Sequence, residues 1–456
     1  MLKKNDIVEL EIIDINHDCA GVAKYDGMAI FVPNTAIGDK IEAQILKVNK
    51  TYAYAKLNNI IMPSTTRIEN DCPMYSKCGG CSLRHISYDE ELRIKKNWIY
   101  ENMKRIGGVE LENLEIIPSE EICHYRNKAQ YPVAMSNGEI ISGFYANRSH
   151  RIIDCKSCKL QPDFFSDIID EILDFAKKYE IPVYDEETGK GILRHIYIRY
   201  GKSTDEVMVC IVATKPKFHQ MDKLIQKLRN LPHNIVSILI NVNSENTNII
   251  LGDTTNILYG KDGITDVMCG ITVDISSQSF YQVNKLAAEK LYNKAFDMAN
   301  FNGNESVVEL YCGVGTISLA MAHQVKKITA IEIVPEAIEN AKENAQKNNI
   351  TNVEFICDDA LTTAKKMAEN KEHCDIVLVD PPRKGCDLDV LEAMAKMSPE
   401  KIIYISCNSS TLARDCKILS SMGYNVDDAC AVDLFPRTGH VECMVLMTKC
   451  GSEGKK

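Results

Sequence analysis

The segment YISCNSSTLARD, residues 404–415, places Cys407 at the end of a short apolar run, just before a polar turn and a helix-like segment. A free cysteine in such a run is commonly a small buried hydrophobic residue. At the mouth of a ligand site, however, a cysteine thiolate is a strong nucleophile. The choice between the two depends on what the neighbouring strands carry.

A glycine turn and two acidic positions predict a nucleoside-containing cofactor. In VVELYCGVGTISLAMA a strand turns into a helix, and Gly313 and Gly315 let the backbone approach a ligand. The turn lacks the third glycine that is typical of pyrophosphate binding. Glu332, at the end of the next strand, is placed to accept ribose hydroxyls, and Asp359, after the third strand, to accept an adenine amino group. The pattern favours S-adenosylmethionine over a nicotinamide cofactor, although Glu332 can also serve as a helix N-terminal charge.

The segment DIVLVDPPRKG ends the fourth strand with Asp380. Its two prolines stiffen the turn and hold Asp380 and Arg383 beside the reacting methyl group. Methyltransferases that act on exocyclic amines place an aromatic residue after the prolines, where this chain has Arg383. Amine methylation is therefore disfavoured.

Carbon 5 of a pyrimidine is the target that gives Cys407 a function. This carbon is too weak a nucleophile to accept a methyl group directly, so a thiolate must first add to carbon 6, and a base must later remove the carbon-5 proton. Cys407 ends the fifth strand, on the same rim as the glycine turn. In FPRTGHVECMVL, residues 435–446, His440 and Glu442 alternate toward one face, and either can be this base. An exposed edge position is the alternative for Glu442.

A second group of cysteines lies far along the chain from Cys407. CPMYSKCGGC contains Cys72, Cys78 and Cys81, and DCKSCKLQ contains Cys155 and Cys158. Closely spaced thiols in a reducing compartment indicate a metal or a cluster. The spacing allows zinc or a four-iron four-sulfur cluster and does not distinguish them.

Three regions would position these residues. Residues 1–60 contain short alternating strands with Gly, Asn and Asp turns, which predicts a β-barrel of the OB type. Residues 61–275 mix strand-like runs, among them ILRHIYIRY and TNIILGD, with helices such as FFSDIIDEILDFAKKY, which indicates an α+β region. In residues 276–450 apolar strands alternate with helices, which predicts an α/β domain with a Rossmann-like parallel sheet covered on both faces.

The composition is that of a globular protein, with 456 residues, 45% of them hydrophobic and 25% charged. No apolar run reaches the roughly 18 residues that span a bilayer, and MLKKNDIVEL lacks a secretory apolar segment. We expect a cytoplasmic monomer with no membrane partner, folded except at the tail GSEGKK. The net charge of -10 does not exclude an RNA partner, because the acidic excess follows residue 160 and residues 194–229 carry a basic run.

Taken together, SFYQVN, ELYCGVGT, DPPRKG, SCNSSTLARD and FPRTGHVE resemble the uracil-5 RNA methyltransferase family in order and spacing. The resemblance implies a class I methyltransferase domain with an antiparallel last strand, with Cys407 as nucleophile and Glu442 as base. The implied contacts to S-adenosylmethionine are Gln282, Tyr311, Glu332 and Asp380, to which the glycine turn adds Gly313 and the third strand adds Asp359. Phe280 is implied to lie near the target base, where Arg383 and His440 are also expected.

The resemblance also selects the [4Fe-4S] cluster, as in the ribosomal branch of the family. Its ligands would be Cys72, Cys78, Cys81 and Cys158, because the fourth ligand of that branch precedes a Leu-Gln pair as Cys158 does; Cys155 is the alternative. The N-terminal region resembles a TRAM domain, an RNA-binding barrel of the ribosomal members. The favoured substrate is therefore a uridine of large-subunit (23S) ribosomal RNA, flipped out to meet Cys407.

Three alternatives stay open from the sequence. The same chemistry can act on a transfer-RNA uridine or on cytosine, although cytosine-5 enzymes carry a second cysteine directly after a proline of the fourth-strand motif, and Cys386 in DPPRKGC lies farther along. The third alternative is an RNA-binding factor that keeps the methyltransferase fold for structure only. Intact Cys407, Glu442 and Glu332 disfavour that alternative.

Overall fold

The computed structural model describes residues 2–451, which form four sheets and the helices that cover them. The predicted unfolded tail GSEGKK lies outside these residues, apart from Gly451. The first sheet has the strand order β1-β5-β6-β4-β3-β2 and curls into the predicted barrel. Its strands are β1 (Ile7–Glu11), β2 (Asp14–Ile15), β3 (Ala20–Tyr25), β4 (Met28–Pro33), β5 (Lys40–Val48) and β6 (Tyr52–Met62).

Helix α1 (Tyr88–Asn102) closes the base of this barrel and continues as a π-helical turn, Met103–Gly107. Ser87 caps the helix by accepting a hydrogen bond from the Glu90 amide, and the first turn is acidic, which complements the helix dipole. Trp98 is buried in the barrel core, and its indole N–H donates to the Ile15 carbonyl at 2.8 Å. The barrel is therefore fixed to the rest of the protein through α1.

The strand that follows, β7 (Glu115–Ile117), belongs to the catalytic sheet, although it lies within the predicted middle region of residues 61–275. The middle sheet has the order β10-β9-β8-β11-β12-β13-β14, and its helices α2 and α3 bury one face in a common core. These elements are β8 (Lys128–Ser136), β9 (Glu139–Tyr145), β10 (Ile152–Asp154), α2 (Phe165–Lys178), β11 (Leu193–Gly201), β12 (Glu206–Ala213), α3 (Met221–Arg229), β13 (Ile235–Val242) and β14 (Thr254–Gly260).

The strand expected at TNIILGD, residues 247–253, is wrong: β14 begins only at Thr254. Side-chain amides of the preceding strand, β13, form hydrogen bonds with the backbone of this segment instead. Asn241 donates to the Gly252 carbonyl at 2.8 Å, and Asn243 donates to the Ile249 carbonyl at 2.7 Å. The apolar content of this segment therefore does not predict a strand, because polar side chains take the place of the backbone hydrogen bonds of a sheet.

A hairpin of β15 (Gly263–Met268) and β16 (Ile271–Ser276) leads into the catalytic sheet, whose order is β19-β18-β17-β20-β21-β23-β22-β7. Strands β17 to β21 are parallel, and β23 is antiparallel to β21, as predicted. The elements are α4 (Lys285–Ala299), β17 (Ser306–Leu310), α5 (Thr316–Met321), β18 (Lys327–Glu332), α6 (Pro335–Lys347), β19 (Val353–Cys357), α7 (Ala360–Asn370), β20 (Ile376–Val379), α8 (Leu388–Met397), β21 (Lys401–Ser406), α9 (Ser409–Ser421), β22 (Tyr424–Val432) and β23 (Glu442–Lys449).

Strand order reverses between β17 and β20, and ligands of such sheets bind outside the strand ends at this point. Cores on both faces of the sheet keep these ends in place. Within residues 2–451, no helix is both long enough and apolar enough to cross a membrane.

Candidate active site

The glycine turn after β17 has an unusual backbone. Tyr311, Gly313 and Gly315 all have positive φ, at 66°, 55° and 77°. At Gly315 a Cβ atom would stand only 2.9 Å from the Phe355 ring, so only glycine fits there. The turn thus brings bare backbone to the start of α5.

Glu332 at the end of β18 faces this turn. Its Oε2 accepts a hydrogen bond from the Gly313 amide at 3.1 Å, while Oε1 accepts from the amides of Ile333 and Val334 at 2.9 and 3.0 Å. The carboxylate is therefore held in one orientation beside the turn. Both its predicted role toward a ribose and its alternative role at the α6 N-terminus agree with this position.

A cavity of about 630 Å³ opens at the strand ends, a size typical of small-molecule sites. It brings together ten of the eleven residues predicted for catalysis, cofactor binding or base contact. These are Phe280, Gln282, Tyr311, Gly313, Glu332, Asp380, Arg383, Cys407, His440 and Glu442. Their assigned roles remain predictions.

Asp359 is the predicted residue that does not line this cavity. It is the N-cap of α7, where its Oδ2 accepts a hydrogen bond from the Thr362 amide at 3.0 Å. An Asp that follows a strand and precedes a helix suits this capping role equally well. The adenine contact expected for Asp359 thus receives no support from its position.

Three acids line the cavity: Glu309 and Glu442 are buried, and Asp380 is half-buried. Burial raises the pKa of Glu309 to about 8, with a further rise from the negative charge of Asp380. Burial also raises the pKa values of Asp380 and Glu442, and the charge of Asp380 adds to the rise at Glu442. Two carboxyl groups in one desolvated site resist simultaneous ionisation, and a bound cation would oppose this effect.

Cys407 follows β21 directly and is half-buried at the cavity wall. Burial raises the pKa of its thiol, as does the negative charge of Glu442, whereas the nearby Arg383 guanidinium lowers it. Asn408 fixes the turn after the cysteine: its side chain accepts from the Ser410 amide at 3.1 Å and donates to the Arg383 carbonyl at 3.2 Å. Cys407 and Arg383 therefore share one rigid corner.

The loop of residues 435–441, which precedes Glu442, is held by several distant segments. The Lys95 ammonium of α1 donates to the Phe435 carbonyl at 3.2 Å, and the amides of Ser82 and Leu83, in the cysteine-rich segment, donate to the Arg437 carbonyl at 2.9 and 3.1 Å. Gly439 packs against the barrel so tightly that a Cβ there would lie 2.5 Å from the Cys19 sulfur.

A buried ion cluster supports the same loop. The Lys95 ammonium, wholly buried, pairs with Glu91 at 2.7 Å and with Asp433 at 2.8 Å, and both carboxylates are wholly buried as well. Glu91 in turn accepts a hydrogen bond from the Arg437 amide at 2.7 Å. The position of Glu442 is therefore set by α1, the cysteine-rich segment and the barrel together.

Lys128 is a cavity residue that the sequence analysis missed. It begins β8, and its side chain forms no hydrogen bond or ion pair with any other residue in the range 2–451. Burial lowers its pKa to about 8, with a further lowering from the charges of Arg199 and Arg126. An unpaired cation in a crowded positive environment is suited to an anionic ligand.

The cysteines of the second group do meet. Cys72, Cys78, Cys81, Cys155 and Cys158 line one small cavity of about 40 Å³. Burial, together with the neighbouring thiols, raises the pKa values of Cys155 and Cys158 to about 12. Between residues 2 and 451, however, no group of three or more His, Cys, Asp or Glu side chains is arranged to hold a metal ion.

Two arginines also line the cysteine cavity, and they fit an anionic occupant. The Nε atoms of Arg84 and Arg126 are buried without a hydrogen-bond partner. Thiolate-ligated clusters are anionic, so the donor set is chemically suitable for the predicted group. Both alternatives for the fourth ligand, Cys155 and Cys158, remain available at the cavity wall.

The basic run of residues 194–229 does not form one surface. Arg194 and Arg199 are buried, and Lys202 and Lys227 are paired with Glu121 and Glu171. A linear count of charges could not show that side chains of β11 point inward. The predicted basic surface of the middle region is therefore broken up.

The parallel sheet with its reversal beside the glycine turn, and a cavity rimmed by acidic strand ends, define a class I S-adenosylmethionine-dependent methyltransferase. Comparisons with known proteins identify the family within this class. The sequence model of the family described as tRNA (Uracil-5-)-methyltransferase matches residues 87–450, and that of the TRAM domain matches residues 2–57. The chain belongs to the uracil-5 RNA methyltransferase family and carries a TRAM domain, which confirms both resemblances.

Relatives of the whole chain carry a matching description. An uncharacterized RNA methyltransferase of Listeria innocua is 44% identical over 98% of this chain and 99% of its own length. Another, of Clostridium tetani, is 43% identical over 100% of this chain and 99% of its own. Among solved structures, the Pyrococcus abyssi tRNA (uracil-54, C5)-methyltransferase in complex with S-adenosyl-L-homocysteine has a TM-score of 0.78 and 28% identity, over 96% of this chain and 99% of that one.

Proposed function

We propose that this enzyme methylates carbon 5 of a uridine in 23S ribosomal RNA through a covalent adduct of Cys407. The observation that carries the proposal is the meeting of Cys407, Glu442 and Asp380 in one cavity with the glycine turn. The cavity offers a nucleophile, a base and a cofactor site within a single desolvated space. Few other reactions need this combination.

Each chemical step of the reaction is assigned to a residue. The Cys407 thiolate adds to carbon 6 of the uracil, and the electron pair of the broken double bond makes carbon 5 nucleophilic. When bound, S-adenosylmethionine would supply the electrophilic methyl group to carbon 5, and the broken sulfur–methyl bond would leave S-adenosylhomocysteine. Glu442 as carboxylate then removes the carbon-5 proton, and the returning electron pair expels the Cys407 thiolate. The thiol and the carboxyl group must therefore both be deprotonated when they act.

Cofactor contacts are proposed for the residues nearest the turn. Gly313 offers bare backbone, Glu332 a carboxylate for the ribose, and Tyr311 an aromatic face, while Gln282 and Asp380 line the cavity beside them. A bound sulfonium would place positive charge near Asp380. That charge would lower the pKa values that burial raises.

The target base is proposed to meet Phe280, Arg383, His440 and Lys128. Phe280 is 68% exposed although it lines the cavity, so its ring is free to stack on a flipped base. Arg383 and Lys128 are cations suited to anionic oxygens of the target nucleotide. His440 lies 6.0 Å from the Phe435 ring, and burial lowers its pKa, which favours the neutral imidazole.

Transfer RNA is the second candidate substrate. The Pyrococcus abyssi structure, whose title names transfer RNA, aligns with 96% of this chain, so the alignment reaches into the barrel region. The barrel alone therefore does not separate the two substrates. The choice of ribosomal RNA depends on the cysteine group and on the resemblance to the ribosomal branch.

The [4Fe-4S] cluster is proposed with Cys72, Cys78, Cys81 and Cys158 as ligands. Each thiolate of such a cluster binds a different iron, so the sulfurs need not surround one point as they would around zinc. The unpartnered Nε atoms of Arg84 and Arg126 support an anionic occupant. The division into residues 1–60, 61–275 and 276–450 is kept as a proposal, with the first two regions holding the RNA.

Cluster content can be tested on protein purified without oxygen. Iron and acid-labile sulfide should be present in the wild type and in Cys155→Ser, and lost in Cys158→Ser. Loss of iron and sulfide in Cys155→Ser, with both retained in Cys158→Ser, would make Cys155 the fourth ligand instead of Cys158. Zinc without acid-labile sulfide would show that the cysteines hold a single zinc ion and no cluster.

The activity is tested with tritiated S-adenosylmethionine and unmodified large-subunit ribosomal RNA, with unmodified transfer RNA in a parallel reaction. Label should appear as 5-methyluridine in ribosomal RNA, and it should vanish with Cys407→Ala. Label only in transfer RNA would favour the second candidate. Label as 5-methylcytidine, or no label in either RNA, would contradict the proposed reaction.

A further inference from the structure

The residues that follow Cys407 in the motif SCNSSTLARD form the start of α9, and the proposed reaction gives them no role. Their side chains hold the loop of residues 381–387, which follows β20 and carries Arg383. Asn408 and Thr411 both donate a hydrogen bond to the Arg383 carbonyl, at 3.2 and 3.4 Å. The backbone of Arg383 is therefore anchored from α9.

Arg414 and Asp415, at the end of the motif, hold the same loop farther along. The Arg414 guanidinium donates to the carbonyls of Lys384 and Cys386, at 3.0 and 3.2 Å. It also pairs at 2.7 Å with the Asp415 carboxylate, which is wholly buried. Gly385, with a φ of 75°, packs directly on this pair, because a Cβ there would stand 2.6 Å from Asp415 Oδ2. The turn of the loop thus fits against the Arg414–Asp415 pair.

Asp415 joins three elements through one buried carboxylate. Its Oδ2 accepts hydrogen bonds from the Tyr404 hydroxyl at 2.5 Å and from the Cys386 amide at 2.9 Å. Its Oδ1 accepts from the Arg414 Nε at 2.7 Å. Tyr404 is buried on β21, the strand that Cys407 follows, whereas Cys386 belongs to the loop and Asp415 to α9. The carboxylate therefore fixes the strand that leads to the thiol relative to the loop after β20.

The Arg383 guanidinium depends on this support. It lines the catalytic cavity, and within residues 2–451 its side chain forms no hydrogen bond or ion pair that would hold it. Burial raises the pKa of the Cys407 thiol, as do the charges of Glu442 and Asp380, and Arg383 is the cation that opposes them. His440 is neutral at neutral pH, because burial and the charge of Arg383 lower its pKa. A displaced loop would therefore leave the thiol without the charge that stabilises its anion.

We propose that Asp415 is a positioning residue of the methyl transfer, which holds the loop after β20 so that the Arg383 guanidinium stays beside the Cys407 thiol. The inference rests on the proposed function, because it takes Cys407 as the nucleophile. Asp415 does not line the catalytic cavity, so it acts through the loop and not on substrate or cofactor. Arg414 and Tyr404 are its supports.

The sign of the effect separates this role from a direct action of charge. Asp415→Asn removes a negative charge, which by itself would lower the pKa of the Cys407 thiol. Displacement of Arg383 would raise that pKa, because a cation that stabilises the thiolate moves away. The two explanations therefore predict opposite changes in thiol reactivity.

The test measures alkylation of Cys407 by iodoacetamide across pH, in the full chain without RNA or cofactor, by mass spectrometry of the peptide that contains Cys407. In Asp415→Asn the rate curve should move to higher pH, with a rate about three- to tenfold lower at neutral pH, because the rate follows the thiolate fraction. Asp389→Asn, at an exposed position of α8, should match the wild type. An unchanged or faster rate in Asp415→Asn would overturn the proposal.

A double variant locates the route of the effect. Arg383→Met alone should also slow alkylation, and in that background Asp415→Asn should slow it no further, since the positioned group is already gone. An equal additional slowing would show that Asp415 acts by another route and would overturn the proposal.

Tyr404→Phe extends the test to a variant that changes no charge. It removes one hydrogen bond to Asp415 and should shift the curve in the same direction by less, so the test stands even where Asp415→Asn does not fold. An unshifted curve in a folded Tyr404→Phe protein would count against the proposal. Failure of methyl transfer on every RNA would leave these alkylation rates untouched, so this proposal and the proposed function can fail separately.

Discussion

Cys407 and Glu442 lie opposite each other at the end of the same pair of strands. The antiparallel register of β21 and β23 ends with Ser406 opposite Cys443, and the next positions in that register are Cys407 and Glu442. Neighbouring carbons of a pyrimidine ring must be attacked by a thiolate and deprotonated by a base. One strand pair therefore fixes the spacing of the two groups that the proposed reaction needs.

Glu442→Gln should separate the two halves of the reaction. Addition of Cys407 to carbon 6 remains possible, whereas proton removal loses its base, which typically costs a factor of about 10² to 10⁴ in rate. We expect a covalent RNA–protein adduct to accumulate, visible as a denaturation-resistant band that carries labelled RNA. Cys407→Ala should form no adduct, and Cys357→Ser, at an exposed cysteine, should behave as the wild type. An adduct in Cys407→Ala would refute the assignment of the nucleophile.

The pH dependence should respond to Arg383. The active forms of Cys407 and Glu442 are deprotonated, and burial raises both pKa values, so kcat/KM should rise with pH through those values. Arg383 lowers both, because its positive charge stabilises the anions. Arg383→Met should therefore move the rising limb of the kcat/KM profile to higher pH, while Arg383→Lys moves it less. A shift to lower pH would contradict this arrangement.

Glu332→Gln should weaken cofactor binding. A charge-assisted hydrogen bond contributes about 1.5 to 3 kcal/mol, so the affinity for S-adenosylhomocysteine should fall about ten- to hundredfold in titration calorimetry. Glu336→Gln, at the first turn of α6, is the matched control. If Glu332 acted only on its own turn, the variant would lower the unfolding temperature and leave the affinity intact.

Lys95→Met should destabilise the protein strongly. It leaves Glu91 and Asp433 buried without their cation, and breaking such a pair costs about 3 to 5 kcal/mol in free energy of unfolding. The control Lys104→Met removes an exposed pair with Glu110, for which a much smaller loss of stability is expected. Urea unfolding of both variants gives the comparison, and equal midpoints would show that the cluster adds no stability.

Most of the catalytic sheet could be predicted because its strands are continuous apolar runs that end in polar turns. β7 could not be predicted, since three residues carry no periodicity, and it joins the sheet only through its parallel pairing with β22. The segment at residues 247–253 looked like a strand by its apolar content. Its backbone is instead bonded by the amides of Asn241 and Asn243, a tertiary effect.

The predicted site residues that belong to sequence motifs line one cavity, because strand ends meet at one edge of the sheet, while their roles stay predictions. Lys128 was missed because a single lysine in a strand has no distinguishing pattern, and its surroundings come from β11. Asp359 is the N-cap of α7, and capping explains an Asp at a strand–helix junction as well as an adenine contact does, so that contact stays a prediction. In both cases the decisive contacts come from the fold.

The loop before Glu442 is held by Lys95 of α1, by the amides of Ser82 and Leu83, and by the barrel at Cys19. All of these supports precede the catalytic region in the chain. A fragment that begins at residue 276 would retain the parallel sheet and lose every one of them. The position of Glu442 therefore depends on the barrel, on α1 and on the cysteine-rich segment, and we expect the fragment to be inactive.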